Sequence, residues 1–415
     1  LPRPGDDDVI RTILHQTALA LTSLFLAMLL VLPYNGGYPL AYALMGMSIL
    51  LTLALLATRE RWHIGVAGWC FLGAYALMAV AMLLDNDPYS IVMFVFLPVF
   101  VPLASWLRRF AAPDSAVVVS LLAMTGTVLS AITALWEVLY LHRSRALGWG
   151  SDPIWSAEAA LILGFLALVG LPQLKTRWRF ALLVGPVLGT VVVVLSGSRG
   201  PLLAAPVMAL ALTLTTFRPW WKQIAAAAAV VMIAGLALLP LWPSGYARVQ
   251  RTGTVIVQLL TTGEIAERSA GARLAFWKAG TLAFLDRPVS GYGWSHYVRS
   301  AYQYLPDKGE AFDAKGSRLR GNHHLHADLL NFGVAGGALG MLSYLLLLLA
   351  PLLGALRSVR DGQRTARLTG AVVLSTGYAA CGLTYLMLGY EFHNALYVCL
   401  SATILAFCRD APLRS

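Results

Sequence analysis

Three histidines, His323, His324 and His326, stand with Asp328 at the threshold of a long apolar run, in a chain that has only eight histidines. Side chains of these types suit more than one chemistry. An imidazole with a pKa near ~6.5 takes a proton from a hydroxyl at neutral pH, which is general-base catalysis. His-x-His with a carboxylate can also ligate Zn²⁺, although structural zinc sites usually close with four ligands. The plainest alternative is that the cluster only marks where a helix leaves the bilayer. If the helix begins at residue 323, His324 and Asp328 lie four apart and face each other, so Asp328 would orient His324. His326 would then point about 200° away from His324, beside Asn322 and Leu330.

Two arginines offer a partner chemistry, because a guanidinium matches phosphate oxygens in bidentate fashion. Arg199 lies in Ser196-Gly197-Ser198-Arg199-Gly200-Pro201, a short break between two apolar runs. Arg273 falls near the start of "GARLAFWKAGTLAFL", a helix expected from about Gly271 to Leu285 with Ser269 as its cap. Leu274, Trp277, Thr281, Leu282 and Leu285 recur there at helical spacing. Phe276 and Phe284 widen the apolar face, as in an interfacial helix lying on a membrane. An Arg in the first turn is electrostatically unfavourable unless an anion sits beside it, and the free N–H groups of that turn favour one. Arg268 and Arg287 read as surface charges. Tyr292, Trp294 and Tyr297 in "DRPVSGYGWSHY" either stack on sugar rings or form an interfacial aromatic belt, the simpler alternative. No acidic pair lies near to hold Mg²⁺, which prefers oxygen ligands. The expectation is therefore chemistry without a metal or other cofactor.

These side chains must be positioned by helices. The chain is 58% hydrophobic and 12% charged, with a mean hydropathy of +0.69. Apolar runs of about 20 residues, the length that crosses a hydrocarbon core, recur along it. An all-α polytopic membrane protein is the class that fits, since the alternation of a transmembrane barrel is missing. Twelve transmembrane helices are expected, near 10–32, 38–57, 63–84, 89–106, 115–140, 154–173, 180–196, 200–217, 223–241, 326–355, 368–387 and 393–408. Residues 1–241 then hold nine helices, 242–325 form a long loop with short interfacial helices, and 326–415 hold the last three. Cys70, Cys381, Cys399 and Cys408 all fall in or beside apolar runs and read as small core residues.

Lys and Arg divide the connections into two sides. Arg59 with Arg61, Arg108 with Arg109, Lys175 to Arg179, Arg218 with Lys222, Arg357 to Arg367, and both termini fall on one side, which is then cytoplasmic. The opposite connections "PYNGGY", "LDNDP" and "LGYEFHN" have no Lys or Arg. Two short outer connections break the rule, one with Arg143 and Arg145 and one with Arg199. The long loop beside them holds eleven basic residues. Cations gathered there suggest an anionic ligand rather than nucleic acid. For Arg143 and Arg145 the simpler reading is snorkelling to lipid headgroups. Glu391 and His393, on the outer side, are candidates to line the site, but neither they nor Glu137 have a partner that spacing can name.

The chain resembles the bacterial O-antigen ligase and polymerase superfamily. The resemblance rests on Ser196-Gly197-Ser198-Arg199-Gly200, on Arg273 with Phe276-Trp277, on Pro288 and Gly291-Tyr292-Gly293, on His324-Leu325-His326-Ala327-Asp328-Leu329-Leu330, and on Gly337-Ala338-Leu339-Gly340. Where the family usually has Asn after His-x-His, this chain has Ala327. The resemblance implies an O-antigen ligase, a glycosyltransferase of the bacterial inner membrane with its site on the periplasmic face. It would transfer polysaccharide from an undecaprenyl-diphosphate donor to a hydroxyl of the lipid A core. It also implies His326 as general base, with His324 in support, and Arg199 and Arg273 as the diphosphate clamp. A polymerase, or an oligosaccharide transferase acting on protein, would use the same clamp on another acceptor. A lipid-linked glycan transporter is the rival of another class. Such proteins show repeated halves and broken helices, and neither is visible in the sequence.

Overall fold

A backbone in lipid has no water to bond its N–H and C=O groups, so apolar runs close those bonds within themselves as helices. The computed structural model describes residues 6–32, 37–57, 62–148, 152–222, 268–305 and 323–410, with a few positions between 250 and 261. All regular structure among them is helical. The first helices are α1 (Asp6–Leu30), α2 (Gly37–Ala57), α3 (Gly65–Leu84), α4 (Phe100–Arg108), α5 (Ser115–Leu135), α6 (Pro153–Leu166), α7 (Val184–Ser196) and α8 (Arg199–Thr215). After them come α9 (Arg268–Asp286), the short α10 (Tyr297–Ala301), α11 (Asp328–Leu356), α12 (Arg364–Gly382) and α13 (Glu391–Ala402).

Five helical stretches among the described residues are long and apolar enough to cross a membrane: Thr12–Leu30, Gly65–Leu84, Ser115–Tyr140, Arg177–Ser196 and Asp328–Leu356. Shorter apolar helices cover Tyr42–Ala57, Pro153–Leu166, Arg199–Thr215 and His393–Phe407. The run expected near 89–106 is split into a 3-10 segment, Pro88–Phe94, and α4. Pro98 lies between the two and cannot donate to a continuous ladder. The helix expected to reach residue 387 stops at Gly382. The run expected near 223–241 lies outside the described residues.

Small residues set the closest helix contacts, as is common where helices pack in lipid. A Cβ on Gly164 of α6 would collide with the carbonyl of Gly185 in α7, and one on Gly189 with that of Ala160. Along α3 and α11 the contacts run antiparallel. Gly354 lies against Ala67, the Ser343 hydroxyl donates to the Ala74 carbonyl at 2.8 Å, and Gly336 lies against Ala81.

The expectation of unbroken helices fails at Gly337. There α11 takes φ 58° and ψ −143° in its interior. The carbonyls of Val334 and Ala335 accept the N–H groups of Tyr292 at 3.0 Å and Gly293 at 2.9 Å, and Ala338 N–H donates to the Pro288 carbonyl at 2.7 Å. The break is thus bridged by the chain that follows α9. The same bonds pull the aromatics inward. Trp294 is 6% exposed and Tyr297 2%, with the Trp294 ring 5.0 Å from Phe94 and 5.2 Å from Phe332. These two aromatics form neither a surface belt nor a sugar-stacking platform.

Helix α9 begins earlier than expected, at Arg268. Ser269 is therefore inside its first turn, and Arg273 lies beyond the free N–H groups on which its anion argument rested. The buried face is Phe276, Ala279 and Ala283, while Leu282 and Leu285 are exposed. Small residues turn inward because α9 approaches closely, with Gly280 against Leu325 and Leu330.

Candidate active site

Residues 323–327 are not helical, and α11 starts at Asp328. The expected pairing of Asp328 with His324 therefore does not form. Instead the buried Asp328 carboxylate accepts the N–H of Met387 at 3.0 Å and that of Leu388 at 3.2 Å. It fastens the turn after α12 to the start of α11. A carboxylate occupied by backbone donors in this way is not poised as a metal ligand. Among the described residues no three His, Cys, Asp or Glu side chains are grouped to hold a metal ion.

The turn before α11 is fixed atom by atom. Leu325 is fully buried and its N–H donates to Asn331 Oδ1 at 2.8 Å. His326 takes φ 56°, a left-handed conformation uncommon for a residue with a Cβ. Its N–H donates to His324 Nδ1 at 3.2 Å, and its carbonyl accepts Trp277 Nε1–H at 3.3 Å. The two imidazoles do not point apart, as a helix would have made them; their centroids are 4.2 Å apart. Tyr385 stands against both, at 5.0 Å from His324 and 6.3 Å from His326, and Phe276 lies 6.0 Å from His326. Because His324 Nδ1 accepts a bond, its neutral form carries the proton on Nε2. His326 Nδ1 is buried and finds no partner among the described residues.

Burial and the Arg273 guanidinium push His324 down to about 4, the nearby Asp152 opposing. Burial, His324 and Arg273 push His326 down to about 3. Both rings are therefore neutral at pH 7 and able to accept a proton. As bases they are weaker than the unperturbed imidazole that the sequence suggested. The shifts also place Arg273 within electrostatic reach of both histidines.

Arg199 is held by a different pair of elements. Helix α7 ends on Gly197 in the left-handed conformation, φ 67°, the usual way to close a helix. Ser198 then leads into α8, whose first residue is Arg199, and offers no side-chain cap. The helix N-terminus that favours an anion is thus the one at Arg199, not the one before Arg273. Its neighbour Gly200 packs so tightly on Thr384 that a Cβ would collide with the hydroxyl. Thr384 adjoins Tyr385, so the start of α8 lies near the histidine turn, on which Arg273 also acts.

Several supporting residues escape sequence reasoning. Arg145 does not snorkel: its Nε donates to the Ser196 carbonyl at 2.6 Å, bracing the turn that carries Arg199. Arg143 pairs with Glu137 at 2.8 Å, and Glu137 also accepts the N–H groups of Leu147 and Gly148. Asp152 caps α6 through Ile154 N–H and accepts the Tyr385 hydroxyl at 3.2 Å. His393 packs on Trp155 at 5.4 Å and lies within electrostatic reach of His324. Glu158 is fully buried, neither carboxylate oxygen has a partner among the described residues, and Asp328, Asp152 and Arg273 act on it electrostatically. Only its position inside an apolar run signals it in the sequence.

The family whose model is described as O-Antigen ligase matches residues 184–345. This stretch runs from α7 into α11 and includes Arg199, Arg273, His324 and His326, so the resemblance carried by the motifs is borne out over it. With the apolar helices, the match points to a multi-pass membrane enzyme of the glycosyltransferase kind. No curated protein matches the chain.

Proposed function

We propose that the chain is a ligase that transfers O-antigen polysaccharide from undecaprenyl diphosphate to a hydroxyl of the lipid A core. The reaction would take place at the periplasmic face of the inner membrane, within the twelve-helix arrangement expected above. The observation that carries this proposal is that Arg273 acts on a pair of buried histidines, while the N-terminus of α8, which begins at Arg199, packs on Thr384 beside them. In the transfer, the acceptor oxygen attacks the anomeric carbon and its proton passes to His326. The anomeric carbon–oxygen bond breaks, and undecaprenyl diphosphate leaves with that electron pair. Arg199, Arg273 and the first N–H groups of α8 balance the growing charge. The donor also corrects the base: its diphosphate offsets the Arg273 field, raising the imidazole toward the working pH. His324 holds the left-handed turn through Nδ1, which supports His326 as the proton acceptor.

The test is transfer by the purified, lipid-reconstituted protein given a lipid-diphosphate glycan and lipid A core. Glycosylated lipid A and free undecaprenyl diphosphate are expected, with and without EDTA. Elongation of the donor glycan alone would make the chain a polymerase, and glycan on a protein acceptor would make it an oligosaccharide transferase. Loss of transfer on chelation with recovery on adding one metal would overturn the metal-free proposal.

A further inference from the structure

At the opposite end of α11 the structure holds a second cationic site. Helix α11 has 29 residues, so at ~1.5 Å per residue its two ends lie roughly 40 Å apart. A pocket of about 190 Å³ opens there, with Phe100 and Leu405 in its walls and His63, Arg108, Arg357 and Arg409 around it. Among the described residues no carboxylate lines it. Asp361, which acts on Arg409, pairs with Arg367 at 2.6 Å, and Asp410 accepts Gly362 N–H at 2.6 Å.

The cations themselves are costly as they stand. Arg409 is only 8% exposed, and Arg108 has Nε and Nη1 buried without a partner among the described residues. Buried donors that have lost water need an acceptor, and like charges around one cavity need an anion between them. Burial, Arg409 and Arg367 hold Arg108 down to about 10, which reflects the same crowding.

The shape of the site narrows the choice of anion. Val66 and Val359 also line the pocket and are 40% and 59% exposed, so its mouth opens among apolar side chains. A phosphate carrying hydrocarbon fits such a mouth better than a free ion, which gains nothing from it. Basic pockets between membrane helices suit anionic headgroups. We propose that Arg108, Arg357 and Arg409 form a binding site for the phosphate of an anionic membrane phospholipid, separate from the histidine site.

The experiment compares thermal unfolding and lipid retention by native mass spectrometry, using the whole protein in neutral detergent. Phosphatidylglycerol, phosphatidylcholine and inorganic phosphate are added in separate arms. Phosphatidylglycerol should raise the melting temperature and be retained, phosphatidylcholine should not, and inorganic phosphate should do so only weakly. Arg357→Gln, at the exposed mouth, should keep the fold and weaken phosphatidylglycerol by about tenfold. Arg108→Gln should weaken it further. Arg360→Gln removes an equal charge outside the pocket and should have no effect. Equal stabilisation by phosphatidylcholine, or the whole effect from phosphate alone, would overturn the lipid site. So would equal losses in Arg357→Gln and Arg360→Gln.

Discussion

The main-chain N–H of His326 donates to Nδ1 of His324 at 3.2 Å, and His326 itself adopts φ 56°. The two histidines are therefore one unit, in which the first braces the turn that aims the second. Holding a residue with a Cβ in that region costs on the order of 1–3 kcal/mol and persists only where its surroundings enforce it. Here they are the Trp277 bond to the His326 carbonyl and the Asn331 bond to Leu325 N–H.

Unequal losses follow from that arrangement. In the purified transfer assay, His326→Ala should lower kcat by roughly 10²–10⁴, the loss expected of a missing general base. His324→Ala should lower it less, and His324→Asn, whose side-chain oxygen can accept the His326 N–H, should recover part of the loss. Activity in His326→Ala with none in His324→Ala would reverse the roles. Full activity in both would leave the cluster as a helix entrance.

The same two groups set the response to acid. Burial and Arg273 lower His324 to about 4, and burial, His324 and Arg273 lower His326 to about 3. Free enzyme thus keeps both rings neutral well below the ordinary value near ~6.5. With donor limiting, kcat/KM should stay level from pH 8 to about pH 5 and fall only in stronger acid. Stability behaves differently. Between the folded values and ~6.5 the unfolded chain binds more protons, so stability is lost as pH falls through that window. Melting curves should show the loss below pH 6.5, and His326→Gln should reduce its slope. A kcat/KM profile that already halves near pH 6.5 would contradict the buried, neutral pair.

The clamp offers a graded series. Arg199→Ala and Arg273→Ala should each abolish transfer in folded, membrane-inserted protein, and Lys at either position should restore little, because a point charge lacks the fork geometry. Arg145→Ala should cost an intermediate amount, since Arg145 bonds the carbonyl of Ser196 and the Ser198 hydroxyl behind Arg199. Wild-type turnover in Arg145→Ala would show that the turn needs no brace.

What was legible in the chain depended on the range of the interaction. Helices were legible because lipid forces apolar runs to bond internally, so α3, α5 and α11 lie where their composition places them. His324, His326, Arg199 and Arg273 stood out because charged and imidazole groups are rare beside such runs. The roles of Arg145, Asp328 and Trp294 were not legible. Arg145 bonds Ser196, Asp328 bonds Met387, and Trp294 meets Phe94 and Phe332. Each of these partners is distant in sequence, and local periodicity says nothing about it. The left-handed turn at His326 was hidden for a related reason: a His-x-His pattern reads equally well as helix or turn until Asn331 and Trp277 are in place.

The break in α11 connects this distant packing to the site and gives the last test. Gly337 has φ 58°, and a Cβ there would run into the carbonyl of Val289. Gly337→Ala should therefore destabilise by more than the ~1 kcal/mol that a compatible Gly-to-Ala change can gain. Its effect should not stop at stability. The bonds from Tyr292 and Gly293 to Val334 and Ala335 anchor the segment that follows α9, and α9 carries Arg273, Phe276 and Trp277. Loosening that anchor should free the Trp277 bond to His326 and withdraw Arg273 together. The expected signature is a lower kcat with a raised KM for the lipid-diphosphate donor, and faster hydrogen exchange at residues 288–293. Faster exchange with wild-type kinetics would mean that α9 holds the site without help from the break.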